Sequence, residues 1–313
     1  MRARLICCFA IAVSGNAIAQ DYPTRPIRIV TSEAGGGNDL QARLVAKGLT
    51  GVLGQQVIVE NRPSGVIPGD IVAKATPNGH TLLLFNNTFW IGTLLQAAPY
   101  DPFKDFAAVT TIAVAPNILV VTPSLPVKSF AELIALAKAK SGELNYASSG
   151  TGSTSHLAAE LLKWMAGINI VRVSYKGAGQ AFNDVFGGQV QVMFPTAGAA
   201  VGHIRAGRLR ALAVTSIEPS AVAPDLPTVA ASLPGYESIA IYGFFAPART
   251  PTAILNRLHR ETAQLLKAGE VREKLLGSAV EPMGDTPEQL FARVKADMAR
   301  MKKVIDAAGI SAK

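Results

Sequence analysis

Short apolar runs closed by turn residues recur along this chain, and each is followed by a stretch in which apolar positions return at helical spacing. Residues 27–30 read as a buried strand, and 40–53 carry apolar side chains with a helical period. Residues 57–59 give the next strand, closing at Asn61-Arg62-Pro63, and 71–75 a short helix ending at Pro77-Asn78-Gly79. A strand over 82–85 follows. The proline-marked segment 122–126 then reads as a crossing, after which the alternation restarts. Ser129 and Glu132 have capping-box spacing for a helix running to Lys140. Strands are expected over 144–147, 170–173, 190–194 and 209–215, with a helix over 157–165. Pro224, Pro227 and Pro234 mark an irregular return, and a second crossing is expected over 238–245. Thr250-Pro251 and Thr286-Pro287 each read as an N-cap followed by Pro at the first helical position. Strand–helix alternation of this kind implies an α/β fold with mostly parallel sheets covered by helices. The two crossings divide it into lobes of 20–121 with 243–313, and 122–242, the C-terminal helices packing back on the first lobe.

The N-terminus changes the picture of where the chain works. Arg2 and Arg4 precede an apolar run over 5–13, which gives way to Ala17-Ile18-Ala19. That is the pattern of a secretory signal peptide, 1–19, with cleavage near Ala19, and the run falls short of the roughly 20 residues a membrane span needs. Both cysteines, Cys7 and Cys8, lie inside it, so the mature chain is expected to hold no disulfide and no Cys-ligated metal. Formal charge is +8, of which Arg2 and Arg4 would leave with the leader. The remaining basic residues are scattered, with no nucleic-acid arm. No nucleic-acid partner is expected, and positive potential would at most help gather anions.

Two polar, glycine-rich loops stand in matching places, each after a strand and before a helix. The first runs Ser32, Glu33, Ala34, Gly35, Gly36, Gly37, Asn38, Asp39. The second runs Ser148, Ser149, Gly150, Thr151, Gly152, Ser153, Thr154, Ser155, His156. Glycines let backbone N–H groups approach a ligand, and the following helix presents unpaired N–H groups and the positive end of its dipole. Such loops take an anion, although Asn38 or Asp39 could equally serve as an N-cap. Neither loop ends in the Lys-Ser/Thr of a nucleotide-phosphate site, and Gly150-x-Gly152 lacks a third glycine. His80, His156, His203 and His259 show no metal-ligand spacing, and no G-x-S-x-G elbow occurs. Ser153 and His156 lie one helical turn apart without an orienting acid. No enzyme, metal or cofactor is expected.

The chain resembles the tripartite tricarboxylate transporter receptors, the Bug family of periplasmic binding proteins, along nearly all its expected mature length. The resemblance is carried by Tyr22-Pro23-Thr24-Arg25-Pro26-Ile27, Ala34-Gly35-Gly36 with Asp39, Val59-Glu60-Asn61-Arg62-Pro63 and Pro99-Tyr100-Asp101-Pro102. Further on it rests on Tyr146-Ala147-Ser148, Gly150-Thr151-Gly152-Ser153 with His156, Tyr175-Lys176-Gly177 and Gly187-Gly188-Gln189-Val190. The runs over 209–215 and Leu233-Pro234-Gly235-Tyr236 complete it. It implies a two-lobed Venus-flytrap fold with mixed sheets, a soluble monomer in the periplasm, a small organic acid as ligand and a membrane permease as partner. It also implies that Ala34 through Asp39 and Ser148 through Ser155 hold a ligand carboxylate, partly through water. A role sensing a ligand for a membrane kinase is the alternative with the same fold. The sequence departs from the family at Thr31-Ser32-Glu33, where Glu33 would repel a second carboxylate if it faced the cleft, and at the loop 64–69.

Overall fold

The computed structural model describes residues 22–63, 65–175 and 177–310. The expected signal peptide, Cys7, Cys8 and the cleavage site near Ala19 lie outside the described residues, as do Ser64 and Lys176.

The first third of the chain builds strand–helix pairs. These are β1 (Ile27–Thr31), α1 (Gly37–Leu53), β2 (Val57–Asn61), α2 (Ile67–Ala73), β3 (Thr81–Phe85) and α3 (Thr88–Leu95). α1 forms because Ala42, Val45, Ala46, Leu49 and Leu53 make one buried stripe, and it stops at Gly54, whose φ of 69° suits glycine. β1 pairs in parallel with both β2 and β3. Next come β4 (Phe106–Pro116) and β5 (Ile118–Val121), almost continuous and almost entirely buried. The middle of the chain contributes α4 (Phe130–Ala139), β6 (Asn145–Ser148), α5 (Thr154–Ala166), β7 (Val171–Ser174), α6 (Ala178–Phe186), β8 (Val192–Met193), α7 (Ala197–Arg205) and β9 (Arg210–Val214). The last part holds β10 (Ile239–Pro247), α8 (Thr252–Lys267), α9 (Gly269–Gly277), β11 (Glu281–Pro282) and α10 (Pro287–Ala308).

Two mixed sheets result, six-stranded in the order β11-β4-β10-β3-β1-β2 and five-stranded in the order β7-β6-β8-β5-β9. The expected strands are all present, but three that the pattern did not announce dominate the architecture. β4, β5 and β10 pair antiparallel with their neighbours, so the sheets are mixed rather than mostly parallel.

Both crossings sit elsewhere than expected. β5 belongs to the five-stranded sheet, so the first crossing is at Asn117 and not over 122–126; the proline segment is a turn held by the Leu125 N–H to Thr122 carbonyl bond. Residues 239–245 lie within β10, so the return falls before them. Asn117, Thr215 and Ser238 are stitched together there. The Asn117 N–H donates to Thr215 Oγ1 at 2.8 Å, and that hydroxyl lies 2.9 Å from the Asn117 carbonyl and 2.6 Å from the Ser238 carbonyl.

The helix ends correct two further expectations. Pro251 is the N-cap of α8, not its first helical residue, because its carbonyl already accepts from the Leu255 N–H. Ser129 caps α4, but the Glu132 carboxylate accepts from the Lys128 N–H rather than closing the box on Ser129. Thr286 and Gln289 do form a full capping box on α10, with Pro287 at the start. α8 and α9 pack on the first sheet's side, against α1 and β4. α10 reaches further: it lies against β4 and α3 and also against α5, so it bridges the lobes instead of covering only the first.

Candidate functional site

Because β1 and β3 run parallel, α1 and α3 both begin at the same edge of the six-stranded sheet. By the same logic, parallel β6 and β8 start α5 and α7 at one edge of the five-stranded sheet. Each helix N-terminus carries backbone N–H groups that no earlier turn can accept. In open α/β sheets this edge is where ligands sit.

The first loop is organised by two side chains that reach out of α1. Asn38 donates to Ser32 Oγ at 3.0 Å and accepts from the Asn86 N–H at 2.8 Å, tying the loop to the entry of α3. Asp39 accepts from the Gly35 N–H at 2.9 Å, from Arg43 Nε at 3.0 Å and from Asn61 Nδ2 at 2.8 Å. Asn61 also donates to the Ser32 carbonyl. Burial by itself would push the Asp39 carboxyl up, but the bonds from Arg43, Gly35 and Asn61 and the charge of Arg43 outweigh it and hold the group below the usual carboxylate range. Neither residue is an N-cap: that position belongs to Gly36, which has no side chain to fill it. Asn38 and Asp39 are buried and spent on the loop's shape, while Glu33, Ala34, Gly35, Gly36 and Gly37 stand exposed at its tip. Gly37 is required there, since a Cβ would lie 2.6 Å from the Tyr242 hydroxyl. Asp39→Ala removes three acceptor contacts at once and is expected to lower stability by about 1.5–2 kcal/mol, read as a fall in the urea midpoint at unchanged slope.

The second loop is built of hydroxyls. Ser153 caps α5, accepting from the His156 N–H at 3.3 Å and donating to the Gly150 carbonyl at 2.8 Å. Its hydroxyl is therefore committed to the loop, and its link to His156 runs through the backbone, not as nucleophile to base. Ser155 Oγ lies 3.2 Å from Ser149 Oγ and 3.1 Å from Ser153 Oγ, and accepts from the Ser149 N–H. The buried His156 ring accepts the Gly152 N–H at Nδ1, 3.1 Å, which places its own hydrogen on Nε2. Burial, then the charge of Arg172, pull the His156 pKa down to about 4, so the ring is neutral at pH 7.

Sequence reasoning missed Arg172 on β7. Its Nε donates to Ser148 Oγ at 2.8 Å, and Nη2 reaches Thr151 Oγ1 at 3.2 Å and Ser174 Oγ at 3.1 Å. In the sequence it is one arginine between two valines of an edge strand, and no local signal separates it from a surface residue. The Asn86–Thr88 turn was missed as well: Asn86 Oδ1 accepts from the Thr88 N–H and hydroxyl, shaping the start of α3.

α3 touches both loops. One end holds the first loop through Asn86 and Asn38. At the other, Leu95 lies so close to Gly152 that a Cβ there would be 2.5 Å from the Leu95 Cδ1. The two loops thus flank α3, offering N–H and O–H donors from both lobes. That donor set suits an anionic oxygen group. Among the described residues no cluster of His, Cys, Asp or Glu could hold a metal, and no helix is long and apolar enough to cross a membrane.

Comparison with known proteins identifies the family and the fold. Residues 41–310 match the family described as Tripartite tricarboxylate transporter family receptor. Protein BugT of Bordetella pertussis is 34% identical over 97% of this chain and 96% of its own. Among solved structures, R. palustris Rpa4515 with adipate is 37% identical, with a TM-score of 0.80 over 93% of this chain and 99% of its own. MatC from Rhodopseudomonas palustris with bound malate is 29% identical, with a TM-score of 0.75 over 91% of this chain and 100% of its own. The fold is that of the two-lobed solute-binding proteins, in which these relatives are receptors and not enzymes. The chain belongs to the tripartite tricarboxylate transporter receptor family, within which the Bug proteins fall.

Proposed function

We propose that this chain is a periplasmic receptor that captures a small carboxylate-bearing solute between its lobes and delivers it to a tripartite tricarboxylate-type permease. The observation that carries the reading is the pair of donor-rich loops, one following a strand of each sheet, that touch opposite ends of α3. The exposed backbone of Gly36 and Gly37, the first turn of α1, the hydroxyls of Ser149 and Thr151 and the first turn of α5 supply donors for one carboxylate. Asn38, Asp39, Ser153 and His156 hold those donors in place. Relatives described with adipate and malate support an organic acid as ligand.

In this reading the lobes comprise 22–117 with 238–310, and 118–237, and they close by rotation at the stitched crossing of Asn117, Thr215 and Ser238. Neither loop alone can surround a small acid. Closure is driven by the contacts the ligand makes only when both lobes meet it; equal affinity for open and closed forms would shift nothing. The leader expected over 1–19 would direct the chain to the periplasm.

A thermal-unfolding panel tests the function. Succinate, malate and adipate are compared with their uncharged diamides at equal concentration. A ligand at a hundred times its Kd stabilises by about 2.7 kcal/mol, so a true acid ligand raises the transition by several degrees and its diamide does not. A panel in which the diamides stabilise and no acid does would overturn the reading.

A further inference from the structure

We propose that Arg172 recognises the second carboxylate of the ligand, so that the site takes a dicarboxylate dianion in preference to the corresponding monoanion. This rests on the carboxylate-receptor reading and adds the ligand's charge class to it.

The argument starts from what surrounds the guanidinium. Arg28, Arg43, Arg62, Arg293 and Arg300 each sit against a carboxylate. Arg172, like Arg208, Arg210 and Arg257, has no carboxylate among its described partners, but it alone of these four is held by side-chain hydroxyls of the second loop and its strand: Ser148, Thr151 and Ser174. Nearby Glu160 is engaged elsewhere, with Lys163 at 2.8 Å and the Tyr146 hydroxyl at 2.5 Å. Hydroxyls fix the orientation of a guanidinium without cancelling its charge, and arginine does not deprotonate at any ordinary pH.

Its placement is equally specific. On the parallel ladder Arg172 stands opposite Tyr146, yet its side chain reaches Ser148, two residues nearer the carboxyl end of β6. The guanidinium is thereby drawn toward the loop proposed to hold the ligand, where it is bonded to Thr151 itself. Its field reaches the start of α5, where it helps keep His156 neutral. An oriented, uncompensated fork beside a donor-rich loop matches a carboxylate bidentately. The first carboxylate can be held by neutral donors alone; the second has a formal charge to meet.

The test measures Kd by calorimetry for succinate, malate, adipate and suberate, each against its monomethyl ester, in wild type, R172Q and R172K. Wild type is expected to bind the best diacid at least tenfold more tightly than its ester, with a preference that shrinks as salt rises. R172Q should lose at least tenfold on the diacid and stay within about twofold on the ester, which removes the preference. R172K, retaining charge but not the fork, should fall between. If R172Q does not fold, the same comparison in R172K decides: a loss confined to the diacid supports the assignment. Equal binding of acid and ester by wild type, or equal weakening of both in either variant, overturns it, the latter result marking Arg172 as a loop-holding residue. If wild type binds neither acids nor esters, the receptor reading itself fails.

Discussion

Asp297→Ala is expected to lower the unfolding free energy by about 3–4 kcal/mol. Asp297 lies on α10 and is buried. It accepts from Trp90 Nε1 at 2.8 Å and Asn87 Nδ2 at 3.4 Å, both on or beside α3, and from Arg300 at 3.3 Å. Arg300 in turn meets Glu237 at 2.8 Å, at the return crossing. Alanine would leave a fully buried indole N–H without an acceptor and the arginine with one partner fewer. Burial raises the Asp297 carboxyl above its usual range; the bonds from Trp90 and Arg300's charge oppose that shift without cancelling it. Asp297→Asn should therefore be mild, since an amide oxygen still accepts from Trp90 and the charge that burial penalises is gone. Urea unfolding of both variants checks this: similar losses for Ala and Asn would show that the charge, not the acceptor, matters.

Stability is also expected to fall by up to about 3 kcal/mol as pH drops from 6.5 to 4, through His156 alone. The sign follows from proton counting. In the folded chain His156 stays neutral until about pH 4, whereas in the unfolded chain it takes a proton near 6.5. Between those values the unfolded state binds more protons, so acid favours unfolding; outside the window the term is constant. Burial is the main cause, with the charges of Arg172 and Lys163 acting in the same direction and Glu160 against them. A proton on Nδ1 would also replace the acceptor of the Gly152 N–H by a second donor. In His156→Gln the extra slope between pH 4 and 6.5 should vanish, as measured by unfolding curves at half-unit steps. Parallel curves for the two proteins would refute the assignment.

The parallel half of each sheet was legible in the sequence because its strands are short apolar runs punctuated by Asn61-Arg62-Pro63, Pro77-Asn78-Gly79 or a glycine-rich loop. The antiparallel strands β8 and β9 were legible as well, but β4, β5 and β10 were not. β4, β5 and β10 are buried on both faces, so they carry no period, and the search for strand–helix alternation passed over them. Both crossing errors follow from that omission: once β5 and β10 are strands, the chain can change sheets only at Asn117 and before Ile239. Both loops were legible, since glycine and hydroxyl residues between a strand and a helix have few other uses. The division of labour within them was not. Asn38, Asp39 and Ser153 look like ligand groups in a string of letters, and only their partners show that they shape the loops. Arg172 was invisible because its meaning lies in the neighbour strand's register.

The position of β10 has a consequence for how the chain comes to be assembled. It sits between β3 and β4, pairing with both, yet it is made from residues 239–247. A chain synthesised or threaded across a membrane from its N-terminus presents β3 and β4 with open edges long before the strand that joins them emerges. Contacts so distant in sequence form slowly, and the unpaired edges are sticky in the interval. The five-stranded sheet has no such debt, because all its strands lie between Asn117 and Thr215, whose backbones end hydrogen-bonded to each other. The inserted lobe can thus form first, and its closing draws the two halves of the other lobe to within reach, making the visitor in the sequence the organiser of its host.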